Sequence, residues 1–433
     1  MNILKGSILV VIASASIYFL YQISSTDKIT DAVAYDKFLS VSTDAKVDEI
    51  NSNIDFWEDK LNTNPDQFPY KAKLAYYNSE LFATNGDIRK LKLSEQYLVD
   101  VNTSTNYSNA AYLRALARNY ITQHRFSEAL HNLEIAEKNG ERLEATQKML
   151  FDVHLELGND SKAEGYLSKF ENLRDFEYLI RRSKWMDHEG DLESAIYLME
   201  EAKKKIEEGN NEDLKQWTYT NLADYYGHAG RIADSYDHYI KALEIDPTNA
   251  YAKKGIAWIV FSHERNSDEA LRIINHITRE HYAPDYHLLK AEIAEFNGEL
   301  LVKAKELQLF FDKTESDAYG VMYNAHKAAL LAEEFNNYSM AEKLAQMEID
   351  SRPTPQSFSL LAWTYFNSGD LDSAFEIIEE KVANKTFEPT IQYQMAEIYK
   401  AKGDNKRVAK LREELEGSIY ELGPSMEDKI EKL

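Results

Sequence analysis

Small residues recur along this chain at a nearly constant distance. Ser94, Ala129, Ala163, Ala195, Ser235, Ala270, Ala304, Ala341, Ala374 and Val408 are separated by 35, 34, 32, 40, 35, 34, 37, 33 and 34 residues. A period of about 34 residues is far longer than a heptad and marks a stacked helix–turn–helix array. Units of that kind touch their sequence neighbours first, so the spacing restricts the fold to a solenoid more tightly than any other feature.

The stretch "NLADYYGHAGRIADSYDHYIKALEIDP", Asn221 to Pro247, shows what one unit contains. Leu222, Ala223 and Tyr226 lie on one stripe of a first helix. Gly230 falls just past its end, where a left-handed residue closes a helix without steric cost. Ser235, Tyr239 and Ala242 form the stripe of a second helix, and Pro247 stops it. Small residues let two antiparallel helices approach, and the bulky ones fill the space between them. The same order recurs in "LARNYITQHRFSEALHNLEIA", with His124 in the glycine's place, in "LAWTYFNSGDLDSAFEII" and in "MAEIYKAKGD".

These residues resemble the tetratricopeptide repeat family, whose pattern Tyr219, Leu222, Ala223, Tyr226, Gly230, Tyr239, Ala242 and Pro247 follow, with Ser235 for the usual alanine. The resemblance spans about residues 46–415 and implies an all-α superhelix of about ten repeats. It implies further that the first helices line a concave groove for a protein or an extended peptide. Departures fall before Gly86, around "KKKIEEGNNEDLKQW" and at "HERNSDEAL", which read as lengthened turns or helices.

Composition agrees with long helices. The 433 residues include only 16 Gly and 8 Pro, and exceed what one ordinary core organises. Ahead of the array, Ile50, Ile54, Trp57 and Leu61 form one stripe, and residues 46–67 read as a half-repeat covering the open end. Residues 27–45 read as a linker, and 416–433 as a charged tail that caps the stack and then frays. Nothing is left over for a separate catalytic domain.

The N-terminus carries no charge from Gly6 to Thr26, long enough for a helix to span a bilayer. Lys5 precedes the run, and Asp27, Asp31 and Asp36 follow it. The charge order therefore puts the N-terminus in the cytoplasm and the array on the periplasmic or extracytoplasmic side. A cleaved signal peptide ending near Ala13-Ser14-Ala15 would leave a short apolar core and continuing apolar residues beyond it, so residues 1–26 read as an uncleaved anchor. Either reading exports the rest.

Chemistry is sparse. With no cysteine there is no disulfide, thiolate metal ligand or thiol nucleophile. No HExxH, phosphate loop or GxSxG occurs, and His276, His281, His287 and His326 lack ligand spacing. No cofactor, metal or catalytic site is expected. The net charge of −23 opposes nucleic acid and anionic lipid. For groove-facing residues the pattern selects Trp217, Tyr251, Lys254, Trp258, Phe261, Tyr323, Trp363, Phe366 and Tyr393. Arg114 and Arg118, with Arg181, Arg182 and Lys184 two units on, could receive a carboxylate. The expected function is a membrane-anchored scaffold or adaptor. A helper in envelope assembly or secretion, and a glycan- or polymer-binding protein, are the other candidates.

Overall fold

The structure is a computed structural model that describes residues 28–433; the Gly6–Thr26 run expected to anchor the chain lies outside the described residues. Among the described residues there is no strand, and no helix is long and apolar enough to cross a membrane. Ten helical hairpins follow one another. Hairpins 1 to 5 pair Phe68–Asn85 with Ile88–Ser104, Ala110–Thr122 with Phe126–Asn139, Leu143–Glu156 with Asp160–Leu167, Phe176–His188 with Leu192–Glu207, and Glu212–His228 with Ile232–Ile245. Hairpins 6 to 10 pair Ala250–Trp258 with Ser267–Glu280, Asp285–Phe296 with Leu300–Thr314, Asn324–Glu333 with Tyr338–Ser351, Pro355–Ser368 with Leu371–Ile377, and Pro389–Ala401 with Asn405–Glu416.

Each hairpin turns at one left-handed residue, from Gly86 in the first to Gly403 in the last. His124, Arg265 and Asn336 hold that conformation in hairpins 2, 6 and 8, where a side chain costs about 1–2 kcal/mol. An Asx residue often follows and caps the second helix. Asp87, Asp191, Asn266, Asn337, Asp370 and Asp404 each accept a hydrogen bond from a first-turn amide. Each such cap stabilises its helix by about 1 kcal/mol. The turn is therefore written twice, once by the backbone and once by the cap.

Five residues past the left-handed position comes the side chain pressed between the helices. It is Ala129, Ala163, Ala195, Ser235, Ala270, Ala341, Ala374 and Val408 in eight hairpins, all buried. Two positions of the spacing differ from expectation. In hairpin 1 the equivalent residue is Leu91; Ser94 is also buried and bonds Ser79 Oγ at 2.8 Å, one turn further on. In hairpin 7 it is Lys303, and Ala304 is exposed. The turn at Gly298 fixes that register, and the Lys303 ammonium is tolerated there because Glu295 and Glu334 lie 3.1 and 2.7 Å away.

The array also closes on itself. The turn of hairpin 1 stands against the connection after hairpin 6, where Tyr282 N donates to Asn85 O at 2.9 Å. Gly158, in the turn of hairpin 3, meets Pro353 and Thr354 after hairpin 8. Gly190, in hairpin 4, lies under the ring of Phe387 after hairpin 9, and Gly227 of hairpin 5 lies under Tyr420 after hairpin 10. Turn edges of the first half thus stack on connection edges of the second half, five hairpins on.

Both ends of the described chain take part in this closure. Residues 27–45 were expected to be a plain linker, yet Ala32–Leu39 is a helix laid on the second helices of hairpins 5 and 6. Glu264 accepts from Ile29 N at 2.8 Å and Thr30 N at 2.6 Å, Tyr35 Oη donates to Glu269, Arg272 pairs with Asp36, and Thr43 N donates to Glu280. The helix Asp44–Thr63 then covers hairpin 1 through Ile50 and Ile54 against Leu74 and Leu81. The tail, expected to fray, is instead ordered to its end. Its Gly423-Pro424 bend aims Tyr420, Pro424 and Ile430 inward, and its charges pair at Arg265–Glu427 and Lys429–Glu295.

Candidate interaction surface

The inner face is built from the first helices, one stripe from each. Lys148, Asp152 and Glu156 come from hairpin 3, Arg181, Lys184 and Asp187 from hairpin 4, Trp217, Asp224 and His228 from hairpin 5, and Tyr251, Lys254 and Trp258 from hairpin 6. Neighbouring stripes are tied by charge. Arg181 reaches Asp152 at 2.8 Å and Lys184 reaches Glu156 at 2.9 Å. Lys148 pairs with Asp175 at 3.2 Å, and Lys254 with Asp285 at 3.0 Å. Asp224 accepts from both Tyr239 and Tyr251. Burial raises the Asp224 carboxyl above its usual range, and those two hydroxyls offset part of the rise.

These pairings dispose of most of the basic cluster. Arg181 and Lys184 are consumed by their neighbours' carboxylates. Arg114 donates to the Glu141 carbonyl at 2.9 Å and to Thr146 Oγ1 at 3.0 Å, while Arg118 on the next turn is exposed. A carboxylate-bearing partner would find Arg118 and a half-buried Arg182 rather than a five-residue patch.

The aromatic candidates divide into open and covered. Trp217 is 41% exposed and packs edge-on against Phe176, with ring centroids 6.4 Å apart. Tyr251 is 51% exposed, with its hydroxyl fixed 2.6 Å from Asp224. Trp258, two turns beyond Tyr251 on the same helix, is covered by the tail: its Nε1 donates to Tyr420 O at 3.0 Å, beside Ser262 Oγ at 2.6 Å. Phe261 is not on the groove at all. The π-helical turn Ile259–His263 rotates it into the core, where it is fully buried.

Hairpins 8 to 10 are covered in the same way. Trp363 is buried, donates to Glu333 Oε1 at 2.5 Å and stacks on half-buried Phe366 at 5.1 Å. Tyr393 lies edge-on to that tryptophan at 6.4 Å, with its hydroxyl on Glu397. Tyr323 is wedged among Phe310, Tyr319 and His326. The open aromatics among the candidates are therefore Trp217 and Tyr251, on hairpins 5 and 6, and the C-terminal ones are packing residues.

Two features had no place in the sequence reading. One is the tail's seat, formed by Trp258, Ser262, His228 and Glu292. Glu292 lies directly beneath Gly423, and burial pushes its carboxyl up to about 8. The other is the exposed apolar turn Leu300-Leu301-Val302 in hairpin 7. Its signal was visible as three consecutive apolar residues directly after "NGE". Among the described residues no group of three His, Asp or Glu side chains is placed to hold a metal ion.

Residues 218–249, most of hairpin 5 and its following connection, match the family model described as tetratricopeptide repeat. No curated protein matches the chain by sequence. Among solved structures the chain is similar to a tetratricopeptide repeat protein from Parabacteroides merdae, at 18% identity over 59% of this chain and 96% of that one, with a TM-score of 0.34. It is similar also to human IFIT1, solved as a dimer with PPP-AAAA, at 14% identity over 75% of this chain and 76% of that one, with a TM-score of 0.46. The hairpin matched by the family model thus stands in series, among the described residues, with nine others that turn at the same left-handed position, and the all-helical hairpin array is of the tetratricopeptide repeat type.

Proposed function

We propose that this chain is a non-enzymatic scaffold that binds another protein, or an extended peptide of one, on the first helices of hairpins 4 to 6. The observation that carries the reading is the pair Trp217 and Tyr251, held rigid by Phe176 and Asp224 yet about half open. Rigid aromatics give a partner large contact area at little cost in rotamer freedom. The uncharged Gly6–Thr26 run supports a single-pass anchor, with the array exported beyond the membrane, and tethering confines the search for partners to two dimensions. Nucleic acid is disfavoured as a partner by the net charge of −23.

Affinity isolation from detergent-solubilised membranes, using the intact chain, tests the reading. Trp217→Ala is expected to weaken capture of the principal partner by roughly 30-fold, the size of an interface hot spot. Trp363→Phe, at a buried packing residue, should leave capture unchanged. Glycan retention with no captured protein, or turnover of any substrate by the purified chain, would overthrow the scaffold reading.

A further inference from the structure

Hairpin 7 breaks the amphipathic pattern of the array. Lys303 takes the inward position that small or apolar residues hold elsewhere, and the apolar turn before it faces out. Leu300, Leu301 and Val302 are 67%, 89% and 44% exposed, and Phe296 and Phe335, on the turns beside them, are exposed as well. Packing within the chain gives no reason for this group. Its place in the fold is informative. Turn edges of hairpins 1, 3, 4 and 5 are covered by the second half of the array, whereas the turn of hairpin 7 leaves Phe296 and Leu300 to Val302 exposed. The tail reaches that edge through Gly423, Glu427 and Lys429 and leaves Leu300, Leu301 and Val302 open.

The described chain begins on the same edge. Glu264, in the turn of hairpin 6, holds Ile29 and Thr30. Ser267 just beyond it donates to Asn297 Oδ1 at 2.8 Å, in the turn that leads into Leu300. Thr26 ends the uncharged run, so Asp27, Lys28 and Ile29 are all the chain available between that run and its attachment at Glu264. Three residues reach at most about 10 Å. An apolar run that crosses a bilayer therefore holds this edge within about 10 Å of the membrane surface.

We propose that the turn edge of hairpins 6 to 8 rests on the bilayer, with Leu300, Leu301 and Val302 inserted among the headgroups and upper acyl chains. The proposal deepens the anchored reading given above and depends on it. The lipid chemistry follows from the surroundings. Glu299, Asp268 and Asp428 lie on or beside this edge, and Arg265 and Lys303 there are paired with Glu427 and with Glu295 and Glu334, so the contact is apolar and gains nothing from anionic headgroups. Seated this way, the array stands off the membrane with its inner face open to the side, and hairpin 1 is the part furthest from the lipid.

The chain has no cysteine, which makes the test direct. Leu301→Cys and Asp66→Cys, the latter on the connection ahead of hairpin 1, are each labelled with one environment-sensitive fluorophore. Both full-length proteins are reconstituted into phosphatidylcholine vesicles containing nitroxide-labelled lipid. Both are expected to float with the vesicles. Emission at 301 should shift to the blue and be quenched several-fold, while emission at 66 should match that in buffer. Flotation with equal, unquenched emission at the two sites overturns the contact and leaves the anchor standing. Failure to float overturns the anchored reading itself. Quenching at 301 that requires anionic lipid contradicts the apolar account.

Discussion

Replacing Gly86 by alanine is expected to pull the first hairpin off the sixth, whereas the same replacement at Gly403 should be mild. Both glycines are left-handed, with φ of +75° and +78°, and both turn a hairpin. An alanine in that conformation costs about 1–2 kcal/mol. Gly403 has nothing within 4 Å of the added methyl, so that cost is the whole effect. At Gly86 the methyl would overlap the backbone carbonyl of Tyr282. Neither strand of backbone can yield alone, because Tyr282 N is bonded to Asn85 O at 2.9 Å. Overpacking adds about 1–3 kcal/mol and the lost hydrogen bond about 1 more, for a total of roughly 3–6. A repeat array need not unfold in one step, so the informative readout is local. Amide exchange at Tyr282 should accelerate by two or more orders of magnitude in the Gly86 variant and stay unchanged in the Gly403 variant. Equal behaviour of the two would mean that the array is open in solution.

That closure was invisible in the sequence, and the reason is physical. Contacts between adjacent hairpins recur with the period of the chain, so Ala129, Ala195, Ser235 and Ala374 announced them. Contacts five hairpins apart occur once each. The Asn85–Tyr282 bond is between backbones, and Phe387 over Gly190 has no counterpart elsewhere to form a pattern. Helical phase assigned Trp217, Trp258 and Trp363 to one surface because each lies on the same stripe of a first helix, in hairpins 5, 6 and 9. What distinguishes them is a tail carbonyl for one and Glu333 for another, neither of which a local rule can see. Phe261 failed for a different reason: five residues of π-helix rotate everything after Trp258, and "HERNSDEAL" looked only like a lengthened turn. The tail misled by composition. Its charges suggested fraying, yet Glu421, Glu427 and Lys429 each find a single opposite partner, on hairpins 5, 6 and 7 in turn.

The seat of that tail makes the second large prediction, an increase in stability. Glu292→Gln is expected to stabilise the chain, by an amount that depends on pH. Burial, with Glu295 nearby, raises the Glu292 carboxyl from an ordinary 4.5 to about 8. Between those two values the folded chain holds a proton that the unfolded chain has released, so stability falls as pH rises across the window. Below about pH 4.5 both states are protonated and glutamine gains nothing. Above about 8 both are ionised and the full penalty of a buried carboxylate is present. At 1.36 kcal/mol per pKa unit the limit is about 5 kcal/mol, and partial contact with solvent reduces this to roughly 2–3. Urea unfolding at pH 5, 7 and 9 should therefore show a gain that grows through the series. The residual pH dependence of the variant has a named source. Burial opposes charge on His228, but Glu421 at 2.9 Å outweighs it and holds the imidazole above 6.5. A raised histidine stabilises below its unfolded value and loses that contribution as pH climbs through the folded one. Glu292 and His228 thus loosen the tail in the same direction, and a double variant with His228→Gln should unfold with little change in stability between pH 7 and 9. A pH-independent gain from Glu292→Gln alone would instead place the carboxyl in water, with the tail lifted from Trp258.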